Sequence, residues 1–213
     1  MAARDLEAAR VYYCKQAIFI GQPDRLESVD WDICDPVELT DTVSGLPPFE
    51  PTEVRACWSK DSLYVRFLCA DSHIVSDFTQ RDDPLYEQDV VELFIDEEGR
   101  GHRYFELEIS PRNVIFDARI ENDGEASIMG TDKEWRFDGL ETAVDAACEG
   151  VLSYCIRIPS SHFKHRPGPG VHWKVNFYRI DEGLNGVRQY QAWRTTLAVN
   201  YHIPSRFGTM AFI

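Results

Sequence analysis

Runs of strand-forming residues, separated by turn residues, follow one another along nearly the whole chain. The runs are apolar or alternate with a period of two, and they are rich in Val, Ile, Tyr and Phe. Helical patterns are limited to short turns near residues 24–29 and 160–163. Because no long helix separates the strands, the pattern predicts an all-β fold, an antiparallel β-sandwich of jelly-roll or immunoglobulin-like type with about 10–12 strands. The predicted strands are residues 11–15, 53–59, 62–70, 89–96, 104–110, 114–120, 140–146, 151–158, 171–180, 188–195 and 208–213.

The length and composition of the chain favour a single domain over residues 1–213. Hydrophobic residues make up 44% of the 213 positions, which is enough for a substantial core and argues against general disorder. No linker rich in Pro, Gly or Ser divides the chain, and no internal repeat is evident.

The charge of the chain restricts its partners. Its formal net charge is −14, and no cluster of Lys or Arg interrupts this negative field. Nucleic acid and anionic membrane surfaces are therefore not expected as partners, whereas neutral ligands and cations fit. The first residues lack the apolar run of a signal peptide, which predicts a cytoplasmic protein, although a shortened form of a secreted protein would look the same.

The six cysteines are predicted to be reduced and mostly buried. No Cys-x-x-Cys pair occurs, so the usual zinc and redox signatures are lacking in the sequence. Cys57 and Cys69 flank a tight hairpin at unequal distances from its turn, so they should not lie opposite each other.

Alternation along three predicted strands places polar side chains on one face of a sheet. If these strands are neighbours, the residues that share the face are Glu92, Glu106, Glu108, Asn176 and Tyr178. Carboxylates, an amide and a phenol suit hydrogen bonding to hydroxyl groups, but a solvated sheet face would have the same composition. Tyr86 and Tyr201 are expected at the rim of this face and could stack on a flat apolar ligand surface.

Several segments of the chain resemble the family 9 carbohydrate-binding modules. DVVELFID (89–96), YFELEI (104–109) and WKVNFYRID (173–181) carry the likeness, and segments 20–31, 53–65 and 201–208 match in the same order. Together they extend from about residue 18 to residue 213. The chain also resembles a divergent branch of these modules that occurs as unlinked bacterial proteins.

The resemblance implies a β-sandwich that holds a sugar, often at a chain end, between two stacking aromatic residues, and in which bound calcium is structural. Tyr86 and Tyr201 match the two stacking positions, which commonly carry Trp. Glu92 matches the acid that grips the sugar hydroxyls. Glu106 stands where classical modules have an Arg, which is a departure from the family pattern.

The leading hypothesis is therefore non-catalytic binding of a mono- or oligosaccharide by a monomer or weak oligomer. Stacking and hydrogen bonding to hydroxyls are the expected interactions. The expected ligand-binding residues are Tyr86, Glu92, Glu106, Asn176, Arg179, Trp193, Tyr201 and His202.

Two other functions remain open on the same sandwich. Glu92 with Glu106 or Glu108 could form the carboxylate pair of a glycoside hydrolase, although an open sheet face would raise an acid's pKa little. The face could alternatively bind a protein. No catalytic residue is assigned.

Metal and cofactor signals in the sequence are weak. Hard oxygen donors in turns, such as Asp71 and residues 96–98, suit a structural Ca²⁺, but an acidic loop without metal has the same residues, and no ligand set is assigned. The His162, His165 and His172 region reads as a solvated loop, and His73 with Met129 or Met210 is poor support for haem. No organic cofactor is expected.

Overall fold

The computed structural model of the protein describes residues 11–213, and strands dominate this range. Residues 1–10, on which part of the signal-peptide expectation rests, lie outside it. Five one-turn 3-10 helices are present: Leu26–Ser28, Trp31–Ile33, Leu85–Glu87, Ser160–His162 and Pro204–Arg206. The strands are β1 (Val11–Gln16), β2 (Val37–Glu38), β3 (Thr40–Asp41), β4 (Thr52–Trp58), β5 (Ser62–Ala70), β6 (Val90–Asp96), β7 (Arg103–Ile109), β8 (Ile115–Asn122), β9 (Ile128–Asp132), β10 (Glu141–Cys148), β11 (Val151–Pro159), β12 (His172–Glu182), β13 (Arg188–Ala192) and β14 (Gly208–Phe212).

The strands form two sheets that are joined through β1. One sheet has the order β10–β11–β5–β4–β1, and the other has the order β1–β14–β12–β6–β7–β8–β9. Residues 11–14 of β1 pair with β14, and its last two residues pair with β4. Both of these ladders are parallel, whereas the other ladders in residues 11–213 are antiparallel.

The predicted antiparallel sandwich is confirmed, with β1 as its parallel exception. The fourteen strands in the described range exceed the predicted number because β2, β3 and β9 were not recognised. β2 and β3 have only two residues each, and β9 is a mostly exposed edge strand, so none shows a core-facing alternation. The turns expected near residues 24–29 and 160–163 are confirmed as 3-10 helices.

The main core lies between the two sheets and is formed by the inward face of each strand. Leu93 and Ile95 of β6 and Phe177 of β12 meet Val65 and Phe67 of β5 there. The Phe67 and Phe177 rings are in edge-on contact, with centroids 5.9 Å apart. Burial of this apolar surface holds the two sheets together.

A second apolar cluster covers the opposite face of β6, β7 and β12. Phe94, Tyr104 and Tyr178 of these strands pack there against Tyr201 and Phe207 of the segment that precedes β14. The polar face predicted from the sequence therefore lies beneath residues 199–207, called the covering segment below, and it is not an open sheet surface.

The cysteines are free thiols, as predicted. Cys14, Cys34, Cys57 and Cys69 are buried, Cys155 is partly buried and Cys148 is exposed. In the β4–β5 hairpin, Cys57 pairs with a tyrosine and Cys69 with a threonine, so the two thiols do not face each other.

A close approach between β14 and Trp193 makes position 208 intolerant of a side chain. A Cβ at Gly208 would lie 2.4 Å from a ring carbon of Trp193, which is itself packed into the main core. We expect Gly208→Ala to lower the free energy of unfolding by about 1–3 kcal/mol in urea denaturation, as other overpacked sites do. Gly168→Ala is the control, because the nearest atom to its added Cβ is 3.9 Å away. Equal stability of the two variants would contradict this packing.

Candidate functional site

A cavity of about 220 Å³ lies over the outer face of β6, β7 and β12. Side chains from the sheet form its base, while the helical turn before β6 and the segment before β14 form its rim. The residues that line it are Tyr86, Glu92, Glu106, Glu108, Ile180, Tyr190, Val199, Asn200, Tyr201 and His202. Five of the eight expected ligand-binding residues are thus brought together: Tyr86, Glu92, Glu106, Tyr201 and His202.

Strand register gathers three carboxylates at the base of the cavity. Glu92 pairs directly with Glu108 of β7, and Glu106 is two residues further along the same face. One oxygen of each carboxylate lies within 4.8 Å of the others. The three side chains are 2–7% exposed, so they are close together and nearly dehydrated.

Burial raises the pKa of all three carboxyl groups. The pKa of Glu106 is raised to about 8 by burial, and those of Glu92 and Glu108 are raised well above the usual range by burial and by the neighbouring carboxylates. The expectation that an open sheet face would raise the pKa of these acids only a little was therefore wrong. The covering segment removes the water that would otherwise stabilise these charges.

Tyr86 and Tyr201 occupy different environments at the cavity. The Tyr86 side chain is exposed at 54% and stands on the 3-10 turn that Leu85 anchors in the apolar cluster. Tyr201 is 7% exposed, and its ring stacks on Tyr178 with centroids 4.0 Å apart. Its hydroxyl donates to the Arg179 carbonyl at 2.9 Å. The Tyr201 side chain is therefore held in place by packing and a hydrogen bond, whereas the Tyr86 side chain is exposed at the rim of the cavity.

His202 is held beside Glu106 by a hydrogen-bond chain. Its Nδ1 lies 2.8 Å from the Tyr104 hydroxyl, and its Nε2 lies 3.7 Å from Glu106 Oε1. Asn122 donates to both the Tyr104 hydroxyl and the His202 carbonyl. Burial lowers the pKa of His202 to about 4, so its imidazole is neutral near pH 7.

Three of the expected ligand-binding residues lie elsewhere. Asn176 shares the face of Glu92, but its amide is occupied by the backbone of Arg194, to whose carbonyl it donates and from whose N–H it accepts. Trp193 packs in the main core against Phe177. Arg179 also points inward, because alternation along β12 places it on the same face as Phe177. The expectation that these three contact the ligand is corrected accordingly.

Arg179 is the centre of a buried ion-pair cluster between the sheets. Its guanidinium donates to the Ala70 carbonyl at 2.7 Å and to Asp181, and it lies 3.3 Å from Asp71. Asp89 completes the cluster, with both oxygens accepting backbone N–H groups. Burial raises the pKa of Asp181 to about 7 although Arg179 opposes the shift.

In the acidic turn at residues 96–98, the Asp96 carboxylate is bonded to backbone N–H groups. Both Asp96 oxygens accept hydrogen bonds, from the N–H groups of Glu98, Gly99 and Gly101. The aspartate cluster already contains a guanidinium cation among its carboxylates. Asp71 Oδ2 and Asp181 Oδ2 lack a hydrogen-bond partner, but the Arg179 guanidinium already supplies a positive charge beside them. The expected structural calcium stays a prediction.

A larger cleft of about 570 Å³ runs along β7, β8 and β9. Charged side chains line it, but they already form pairs, such as Arg103 with Glu121 at 3.2 Å and Lys164 with Glu98 at 3.3 Å. The smaller cavity differs because its carboxyl groups are buried and neither Lys nor Arg lines it. It is therefore the candidate binding site.

Three polar lining residues were not predicted as ligand contacts. Glu108 shares its face with Glu106, so alternation alone pointed to it. Tyr190 reaches the cavity because β13 pairs with the end of β12, opposite Ile180. Asn200 belongs to the covering segment, whose position depends on tertiary packing and leaves no local signal.

Comparisons with known proteins agree with one another. A family model described as carbohydrate family 9 binding domain-like matches residues 31–213. A relative from Arthroderma benhamiae named "Extracellular protein" is 26% identical and is matched over 83% of this chain and 85% of its own. Among solved structures, a candidate carbohydrate-binding protein from Bacteroides uniformis superposes with a TM-score of 0.75 at 18% identity, covering 96% of this chain and 99% of that one.

Two further similar structures come from Caldicellulosiruptor kristjanssonii. One is a family 9 carbohydrate-binding module in complex with cellotriose, with a TM-score of 0.67, 16% identity and coverage of 95% and 93%. The other is a family 9 module in complex with glucose, with a TM-score of 0.63, 16% identity and coverage of 95% and 94%. At these identities the structural likeness shows a shared fold.

The raised pKa of Glu92 predicts that this residue costs stability at neutral and alkaline pH. The folded state holds its proton more tightly than the unfolded state, so the free energy of unfolding falls as pH rises above about 4.3. We expect Glu92→Gln, measured by urea denaturation with EDTA present, to be about 0.5–2 kcal/mol more stable than the wild type at pH 8. The difference should shrink towards zero at pH 4.

The exposed Glu149 on the other sheet offers the control. Glu149→Gln should leave stability unchanged at both pH values. A Glu92→Gln variant that is less stable than the wild type at pH 8 would show that the carboxylate stabilises the fold.

Proposed function

We propose that this protein binds carbohydrate without cleaving it, because the chain belongs to the carbohydrate family 9 binding domain-like family. The family resemblance inferred from the sequence is confirmed by the match over residues 31–213. The binding site in this proposal is the cavity over Glu92.

One observation carries the assignment of the site. The positions that the resemblance assigns to the stacking aromatics and the gripping acid, Tyr86, Tyr201 and Glu92, meet around a single cavity. The Glu106 carboxyl group also lines it and suits hydrogen bonds to sugar hydroxyls, whereas the Asn200 amide already donates to the Ala126 carbonyl and accepts from the His202 N–H. A recess with aromatic walls and convergent polar groups suits a small polar ligand better than a flat protein surface.

The size of the cavity favours a single sugar ring. Its volume of about 220 Å³ is below the roughly 300–1,000 Å³ of pockets that hold drug-sized ligands. A monosaccharide or the terminal unit of a chain fits such a space, and its few atoms imply modest affinity, about micromolar to millimolar.

The placement of the carboxylates favours binding over hydrolysis. In a glycoside hydrolase the acid and the nucleophile or base flank the scissile bond. Here Glu92, Glu106 and Glu108 project from adjacent strands on one face of one sheet, so they approach a ligand from the same side. We therefore expect no reducing sugar to be released from glycans.

Stacking on Tyr86 is testable with the ligands of the similar modules, glucose and cellotriose. We expect Tyr86→Ala to weaken binding about fivefold in titration calorimetry, since an aromatic contact contributes about 1 kcal/mol. Tyr86→Trp should tighten binding because a larger ring offers more stacking area.

Tyr13→Ala is the matched control for this experiment. Tyr13 is also 54% exposed, but it stands on β1 and does not line the cavity. Binding should be unchanged in this variant. No heat with any small sugar, or equal affinity in Tyr86→Ala and the wild type, would contradict the proposed site.

A further inference from the structure

The three carboxyl groups at the base of the cavity have no cation among the described side chains that line it. Neither Lys nor Arg lines the cavity. The charge of Lys133 favours the ionised forms of Glu106 and Glu108 from outside the cavity, where its ammonium lies over the Phe116 ring at 5.2 Å. Buried ionised carboxylates are costly unless a positive charge accompanies them. The cavity is therefore chemically incomplete.

Two of the carboxylate oxygens also lack hydrogen-bond partners among residues 11–213. Glu92 Oε1 and Glu108 Oε2 are buried without a donor, on side chains that are 97% or more buried and line the cavity. Buried acceptors without partners are rare in native proteins, and each requires a physical reason. Uncompensated charge and unpartnered oxygens occur here on the same side chains.

We infer that Glu92, Glu106 and Glu108 bind one divalent cation of the hard, oxygen-preferring class, with Ca²⁺ as the best match. Their oxygens lie within 4.8 Å of one another, which suits ligands at about 2.3–2.6 Å from a shared ion. Such an ion neutralises the charge and coordinates the unpartnered oxygens at once.

The lining of the cavity favours an oxygen-preferring ion. His202 Nδ1 lies 2.8 Å from the Tyr104 hydroxyl, and its Nε2 lies 3.7 Å from Glu106 Oε1, so both ring nitrogens already have polar neighbours. The ionisable groups that converge at the base are carboxylates, whereas Zn²⁺ and other softer ions favour His and Cys ligands.

The aspartate cluster is a poorer cation site. The guanidinium of Arg179 stands between Asp71 and Asp181, and both oxygens of Asp89 are occupied by backbone N–H groups. A cation there would have to displace an arginine that also donates to Ala70. The glutamate site has no such occupant.

The geometry has a consequence for sugar binding, and this second step rests on the proposed function. Ca²⁺ takes about 6–8 oxygen ligands, and three carboxylates leave some of these positions open on the cavity side. Hydroxyl groups of a sugar in the cavity are suitable oxygen ligands. Ca²⁺ bound by the glutamates should therefore increase the affinity for the sugar, and the sugar should increase the affinity for Ca²⁺ equally.

Titration calorimetry with Ca²⁺ alone tests the first step on the full chain after removal of metal with EDTA. We expect binding by the wild type, and binding that is weaker by about tenfold or more in Glu92→Gln and in Glu108→Gln. Glu149→Gln, with an exposed carboxylate on the opposite sheet, should bind as the wild type does. Circular dichroism and thermal melting of each variant check that the fold is retained.

Three results would overturn the cation site. The first is no Ca²⁺ binding by the wild type at millimolar concentration. The second is unchanged binding in both glutamate variants, and the third is loss of binding only in Asp71→Asn, which would place the ion in the aspartate cluster. Glucosamine that binds EDTA-treated protein more tightly than glucose, with no Ca²⁺ binding, would assign the site to an ammonium group instead.

Glucose titrations with and without Ca²⁺ test the second step separately. Stronger glucose binding in Ca²⁺ than in EDTA supports coordination of the sugar by the ion. Equal glucose affinity in both buffers would refute that coordination while leaving the proposed sugar binding intact. Ca²⁺ binding without any sugar binding would refute the proposed function and leave the cation site standing.

Discussion

Strand β6 is buried on both of its faces, and the character of the site follows from this constraint. All residues from Val90 to Asp96 are buried, although only one face of the strand meets the opposite sheet. A second apolar cluster encloses the other face, where Glu92 lies between Phe94 and Val90. A carboxylate in that position loses its hydration, and its pKa rises. The same enclosure leaves a small cavity in which a ligand can supply the missing partners.

The covering segment is attached to the sheet by specific polar contacts as well as by apolar packing. The Tyr178 hydroxyl donates to the Tyr201 carbonyl at 3.0 Å, and the Tyr201 hydroxyl donates to the Arg179 carbonyl at 2.9 Å. The two rings stack between these bonds. Because Tyr201 is held by two hydrogen bonds and by stacking, little conformational entropy is lost at this residue when a ligand binds. The exposed Tyr86 side chain, by contrast, has to be ordered by the ligand.

The sheet that contains β6, β7 and β12 has a polar group on each face, and the two groups have different surroundings. On the inner face, Arg179 of β12 joins the sheets through Ala70, Asp71 and Asp181, so its charge is compensated within the fold. On the outer face, the glutamates of β6 and β7 have no Lys or Arg beside them in the lining of the cavity. An internally paired charge indicates a structural role, whereas buried carboxyl groups beside a cavity indicate a candidate binding site.

Much of the fold and part of the site were determined by the sequence alone, because strand alternation is a local property. It gave the sandwich, the inward face of β6 and the grouping of Glu92 with Glu106 and Glu108. Local patterns carry no information on how much of a face a distant segment covers. The tertiary structure therefore decided that the glutamates are buried, that Asn176 serves the backbone of Arg194, and that Asn200 reaches the cavity. It also packed Trp193, which follows the end of β13, into the core, whereas alternation along β12 already placed Arg179 on the inward face with Phe177.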